Sequence, residues 1–364
     1  MSDLRQLTSI QLIVIFISAM IGVGIILMPR DLANAVNSPD LWVSIITGAF
    51  LMCLIATMYV LLVTRYPGLT FFDMSKKIAG RWIGTLINLF FIFYCLIVAS
   101  YILRVTTAII KNYLLDTTPL YVIIGSFLLV SLYLISNGPG DVVRFFQLYF
   151  PVMMFMFLIL ALLSIKDVDV QNVRPVLQSN LLTTVTQSKI TFFSFIGIEF
   201  LMIFSPLIKK KKTRNLALSV WISIIVTAVI YVIFHVLTIG VLGIAELKEI
   251  TFPTIEMAKS IEFQGFFFER FELIFIFGWL ITVFTSFTTY TYGMILGIEK
   301  VTKSGWWCMA GAGLLIFTVA LYPEGLTEVL DYSSHIQWIG AVAVIGFPAL
   351  MLLISLMRRQ THDT

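Results

Sequence analysis

Ile21-Gly22-Val23-Gly24-Ile25-Ile26 interrupts an otherwise unbroken apolar run over residues 9–28. A glycine costs a helix about 1 kcal/mol relative to alanine, and two within three residues invite the backbone to unwind. A second such place is Phe192-Phe193-Ser194-Phe195-Ile196-Gly197-Ile198-Glu199, where a glycine stands beside a carboxylate in mid-run. A charge at a bilayer centre costs at least ~2.5–3.5 kcal/mol on insertion scales. Glu199 therefore faces protein or a water-filled cavity, or carries a proton. Each glycine taken alone also reads as a packing notch between helices, and Glu199 alone as one half of a buried pair.

The surrounding composition makes these runs membrane spans. Of 364 residues, 59% are hydrophobic and 12% charged, against about 25% charged in an ordinary soluble chain, and the mean hydropathy is +0.98. That balance excludes a soluble enzyme, a disordered chain and a disulfide-stapled scaffold. A spanning helix needs roughly 20 mostly apolar residues. Ten runs qualify, at about 9–28, 40–63, 82–104, 119–136, 142–164, 187–207, 216–240, 270–297, 306–322 and 337–357. The first is too long for a cleaved signal peptide. No long polar segment interrupts the series, so the whole of 1–364 reads as one polytopic domain. Cys53, Cys95 and Cys308 fall inside apolar runs, where a thiol acts as a small hydrophobe. Two connections are long enough for structure of their own: Lys166–Ser188, and Ile255–Phe263, whose alternation reads as a short amphipathic helix lying on the membrane.

Lysine and arginine positions set the orientation. With the N-terminus in the cytoplasm, the inner side collects Arg5, Arg65, Lys76, Lys77, Arg81, Arg144, Lys209 to Lys212, Arg214, Lys300, Lys303, Arg358 and Arg359, fifteen of the 24 basic residues. Both termini are then cytoplasmic. Lys209–Arg214 is the strongest single determinant; its alternative reading is an anionic-lipid site.

The two breaks lie five spans apart, so one helix runs outward and the other inward. Corresponding breaks in opposed helices mark inverted-repeat transporters, whose half-helix ends point at a central ligand. The repeats are expected at 1–164 and 187–357. Free N–H groups at Gly22, Val23, Gly24 and Ile25 would suit a carboxylate, and free carbonyls around Phe195, Ile196, Gly197, Ile198 and Glu199 an amino group or cation. A small zwitterion such as an amino acid fits best, with neutral polar nutrients as the alternative. Tyr94 and Tyr101 of the third span offer aromatic faces to close such a pocket. Arg104, one turn beyond Tyr101, reads as snorkelling to the surface. The eighth span is dense in hydroxyls at Thr285-Ser286-Phe287-Thr288-Thr289-Tyr290. These either line the pocket, with Thr285 and Ser286 as cation ligands, or bond their own i−4 carbonyls. Glu269, Arg270 and Glu272 read as interfacial, and His235 and His335 as incidental. No metal spacing, catalytic triad or phosphate-cradling loop is present, so no enzymatic activity and no cofactor are expected.

Both break motifs are similar to those of the amino acid–polyamine–organocation superfamily: Gly-x-Gly-Ile in the first span, and Phe-x-Gly-x-Glu in the sixth, followed by Pro206 and a basic cluster. Along nearly its whole length the chain resembles the spore germination permease family, the B subunit of nutrient germinant receptors. The markers are Met28-Pro29-Arg30, Arg65-Tyr66-Pro67-Gly68, Thr118-Pro119, Arg144 with Pro151, Arg174-Pro175-Val176-Leu177, Thr251-Phe252-Pro253-Thr254-Ile255-Glu256, and Glu269-Arg270-Phe271-Glu272 followed by Trp279. The resemblance implies an all-α, ten-helix, LeuT-like five-plus-five fold with helices 1 and 6 unwound, acting as a sensor in the spore inner membrane. It implies assembly with a membrane-anchored A subunit and a C-subunit lipoprotein. Ligand positions carried over by motif are Gly22 to Ile25, Phe195 to Glu199, Tyr94, Tyr101, and the eighth-span face with Thr285, Ser286, Thr289 and Tyr290. The chain departs from the family in having Val105 where an acid often follows the third-helix arginine. Some proton-coupled relatives in the superfamily carry a fifth-helix lysine, and 142–164 has none. Three functions are consistent with the sequence: a nutrient-sensing receptor subunit, a secondary amino-acid permease, and an ion-conducting channel. Neutralising Lys209 to Lys212 is expected to lower folded yield or scramble orientation, read by labelling of single cysteines at either terminus. Unchanged topology with altered nutrient choice would contradict the reading of this cluster as a topology determinant.

Overall fold

Two glycines and an absent side-chain cap break the first span. Ile21 leaves the helix at φ −77°, ψ 91°, and α1 (Ser9–Met20) meets α2 (Gly24–Val36) at 54°. In this computed structural model residues 6–176, 181–208, 213–261, 270–302 and 306–357 are described. The Lys209–Lys212 cluster, Arg5, Leu177, Glu262, Phe263, Glu269, Lys303, Arg358 and Arg359 lie outside them. The start of α1 is fixed by a capping box: Gln11 N–H donates to Thr8 Oγ1 (3.2 Å) and Thr8 N–H to Gln11 Oε1 (2.8 Å). Just before it, Leu7 N–H donates to Leu207 O at 2.7 Å, part of a parallel bridge to Ile208. Among the described residues that bridge is the extent of β structure.

The chain continues through α3 (Leu41–Arg65), a short α4 (Phe71–Ala79), α5 (Arg81–Tyr113), α6 (Leu120–Ser136) and α7 (Pro139–Ser164). The sixth crossing is built from fragments. After α8 (Leu181–Thr186) come α9 (Ser188–Thr191), a 3-10 turn at Phe192–Phe195, an unwound stretch at 196–199, α10 (Phe200–Ile203) and a second 3-10 turn at Ser205–Leu207. Then follow α11 (Thr213–Glu249), α12 (Pro253–Lys259), α13 (Phe271–Thr302), α14 (Trp306–Leu321), α15 (Leu326–Ala341), a π turn at Val342–Gly346 and α16 (Phe347–Met357). Among the described residues six helical units are long and apolar enough to cross a membrane alone, and the bent α1–α2 pair makes a seventh. The shorter apolar α6 and α14 and the broken sixth segment bring the crossings to ten, in the order read from the sequence. α5 and α13 pack on each other at the centre, and α11 packs along α1, α2 and α3. On α4, burial pushes the Asp73 carboxyl up. Hydrogen bonds from Thr70 and Lys300, with the Lys300 charge, outweigh it and hold the group below its ordinary value.

Four expectations are corrected. α5 runs on to Tyr113 because Arg104 does not snorkel: it is 5% exposed, and its Nη2 donates to Pro323 O at 2.9 Å. The tenth crossing starts at Leu326 rather than 337, since Ser333 and Gln337 turn towards the protein interior. α12 does not lie on the surface, for Ile255, Met257 and Ala258 are fully buried against α2, α11 and α13. Glu272 is likewise buried, and accepts from the exposed Arg270 at 2.8 Å.

Three prolines, Pro29, Pro151 and Pro348, sit inside helices, and each leaves a carbonyl four residues earlier without its N–H partner. Pro29 orphans Ile25 O, which accepts from Thr254 Oγ1 at 2.7 Å. Pro348 orphans Val344 O, which accepts from the buried hydroxyl of Tyr59 on α3. An average interhelical hydrogen bond in a membrane contributes only about 0.6 kcal/mol. An acceptor left with no alternative costs about 1–3 kcal/mol, so these two belong near the upper figure. Tyr59→Phe is expected to lower the thermal unfolding midpoint clearly in wild type and much less in a Pro348→Ala background, where the restored N–H serves Val344. Equal losses in both backgrounds would refute the compensation.

Candidate functional site

α1 ends inside the fold, so its last carbonyls have no helical donors. Side chains supply them. Thr285 Oγ1 on α13 donates to Ser18 O (3.0 Å) or its own Thr282 O (2.6 Å), and Ser286 Oγ lies 2.9 Å from Ala19 O and 3.1 Å from Ser18 O. Tyr231 of α11 places its hydroxyl 2.9 Å from both Met20 O and Ser194 O, sharing one proton between the two broken crossings. Trp279 Nε1 donates to Gly22 O at 2.9 Å. The glycines permit this closeness. A Cβ on Gly22 would lie 2.9 Å from Ser286 Oγ, and one on Gly24 only 2.6 Å from Ser194 Oγ. Gly197 has φ 122° and presses on Ala19, whose backbone carbon a Cβ would meet at 3.1 Å.

The sixth-segment break is held by its own carboxylate. Glu199 Oε2 accepts from Gly197 N–H at 2.7 Å, while Oε1 accepts from Tyr94 (2.7 Å) and Tyr290 (3.0 Å). Glu199 is fully buried, and Tyr94 and Tyr290 meet edge to face at 5.9 Å. Among the described residues no ion pair reaches this carboxylate. It therefore faces protein, and its three donors are hydroxyls and a backbone amide.

On the other side of the crossing lies a cavity of about 10 Å³, room for about one water. Val23 and Gly24 line it together with Leu27, Met28 and Asp31 of α2. Tyr101 of α5, Ile190, Phe193 and Ser194 of the sixth crossing, and Ser333 and Gln337 of α15 complete the wall. Tyr101 and Phe193 pack edge to face at 5.5 Å across it. The first turn of α2 starts here without a side-chain cap, and its N–H groups carry the partial positive charge of a helix start.

The fifteen sequence candidates thus divide. Val23, Gly24 and Tyr101 line the cavity, with Gly22 and Ile25 flanking it. Phe195, Ile196, Gly197, Ile198 and Glu199 form the second cluster with Tyr94 and Tyr290. Thr285 and Ser286 hold α1, whereas Thr289 bonds its own Thr285 O at 2.8 Å. Sequence reasoning missed Asp31, Ser194, Ser333 and Gln337 as lining residues. Asp31 carries a signal, since Gly24, Leu27, Met28 and Asp31 share one helical face.

A polytopic protein whose first and sixth crossings break against each other around a small central cavity belongs to the LeuT-like class of five-plus-five inverted-repeat folds. A solved structure of Mhp1, a nucleobase-cation-symport-1 family transporter in a closed conformation with bromovinylhydantoin bound, matches with a TM-score of 0.71 at 14% identity, over 99% of this chain and 81% of that one. The sequence matches the spore germination protein family over residues 6–328, and the chain belongs to that family. It is 30% identical over 360 residues to spore germination protein YndE of Bacillus subtilis (strain 168), covering 99% of each. It is also 30% identical over 359 residues to spore germination protein A2 of the same organism, covering 98% of this chain and 97% of that relative. The chain is therefore an integral membrane protein of germination with a transporter-type fold.

Overpacking a tight contact costs about 1–3 kcal/mol. Gly24→Ala is expected to lower the unfolding midpoint accordingly, and adding Ser194→Gly to restore much of it. Gly197→Ala should find no such rescue, because its strain lies in φ. A Gly24→Ala chain as stable as wild type would dissolve the contact.

Proposed function

We propose that this chain is the nutrient-sensing membrane subunit of a spore germinant receptor, binding a small zwitterion, best an amino acid, between the broken halves of the first and sixth crossings. The observation that carries the reading is the uncapped start of α2 opening onto the central cavity with Asp31 at its mouth. The α2 N–H groups suit a carboxylate, and Asp31, with Ser333 and Gln337, suits the ammonium. Residues 1–164 and 187–357 act as the two repeats whose relative movement is the signal.

The cavity is too small for any amino acid, so this conformation is a closed one. Binding draws on a state in which Phe193 and Tyr101 have parted, and the ligand favours that state only by its differential affinity. The moving half would bear on an A-type subunit and a C-type lipoprotein subunit. In this reading the protein sits in the spore inner membrane with both termini on the core side, as the family and the basic-residue pattern suggest.

Spores lacking the gene are to be challenged with a panel of amino acids, sugars and nucleosides, following cation and dipicolinate release. Response to one nutrient should disappear while vegetative uptake of it stays unchanged. A hydrogen bond to a charged group is worth about 1.5–3 kcal/mol, so complementation with Asp31→Asn should raise the half-maximal nutrient concentration at least about tenfold. Unchanged germination throughout would sink the receptor reading, and saturable uptake of the nutrient by proteoliposomes would mark a permease instead.

A further inference from the structure

A larger cavity, of about 340 Å³, lies between α5, the end of α14 and α15. Its walls are mostly apolar, with Ile97, Ile336 and Ile339 among them, yet Arg104 lines it. The arginine is 5% exposed. One edge of its guanidinium is occupied, Nη2 donating to Pro323 O at 2.9 Å and lying 3.4 Å from Glu324 O, while the buried Nε has no acceptor. Among the described residues no carboxylate pairs with it within 4.0 Å. Glu328, in the first turn of α15, lies near enough for its charge to act on Arg104 but makes no direct pair with it, its oxygens accepting from Tyr332 (2.8 Å) and from Glu324 N–H (2.9 Å).

A guanidinium cannot shed its charge, and a buried cation with no carboxylate in direct contact is a costly arrangement. The place asks for an anion, and the planar N–H edge asks for a carboxylate. The walls ask for an alkyl chain. No acid lines the cavity, so an ammonium would go unpaired, which separates this site from the central one with its Asp31. We propose that the cavity is a second ligand site, taking a small carboxylate with an apolar chain whose head lies on Arg104 and whose chain lies among Ile97, Ile336 and Ile339. Tyr101 lines both cavities, so an occupant here bears on the wall of the central one.

The test uses the full chain in phosphatidylcholine nanodiscs, titrated with carbon-13 carboxyl-labelled hexanoate and followed by its carboxyl resonance, with empty nanodiscs subtracted. Saturable one-site binding is expected, at least tenfold weaker in Arg104→Gln and in Ile339→Trp, which fills the cavity while keeping the arginine. Hexanamide should not compete. Three results would overturn the proposal: no saturable binding, equal competition by hexanamide, or full binding in Ile339→Trp. Loss of hexanoate binding on adding phosphatidylglycerol would also overturn it, assigning the arginine to a lipid headgroup. Should Arg104→Gln fail to fold, the amide comparison and Ile339→Trp still decide.

Discussion

A backbone carbonyl released from a helix inside a membrane has no water to turn to, and this constraint organises the whole structure. The chain breaks its first crossing in the middle and then surrounds the break with donors. α11 contributes a tyrosine, α12 a threonine, and α13 a tryptophan, a threonine and a serine. α12 is buried for this reason, since its Thr254 is needed at the carbonyl that Pro29 leaves open. The hydroxyl-rich face of α13 has the same explanation. The carbonyls of α1 are served almost completely, whereas the start of α2, at the cavity, has no side-chain cap. That asymmetry leaves the positive end of the α2 dipole, rather than the carbonyl end of α1, at the cavity.

The sixth crossing solves the same problem differently. Its carboxylate turns back on its own backbone at Gly197 and draws in two tyrosines from α5 and α13. The break in the first crossing is thus braced from outside, and the break in the sixth largely by its own side chain. Glu199 serves as architecture on one side of the crossing point, and the small cavity lies on the other.

The parts of this arrangement legible in the sequence were those that violate the expectations of an apolar helix. Gly22, Gly24, Gly197 and Glu199 stand out because helix-weakening glycines and a carboxylate recur at corresponding places in two opposed runs. The span count followed from hydropathy alone. Arg104 misled because a long cation near a presumed helix end usually reaches for water, and only the loop carbonyls at Pro323 and Glu324 show that it does not. Ser333 and Gln337 were lost for a related reason: with Asp331 and His335 they dilute the hydropathy of the first part of α15 until it reads as a loop. The small volume of the central cavity could not be read at all, since it depends on how Tyr101 and Phe193, far apart in the chain, happen to stack.

The single parallel bridge between Leu7 and Ile208 carries a mechanical meaning. It welds the beginning of the first crossing to the end of the sixth, and Gln11 adds a bond from the same region to Gln147 on α7 at 3.1 Å. The two breaks therefore share one anchorage on their inner side, while beyond its break α2 is tied to α12 and α11, Ile25 O accepting from Thr254 and Arg30 donating to Lys248 O. A force applied at the N-terminus would be felt first at the exit of the sixth crossing, and only through the breaks at the cavity.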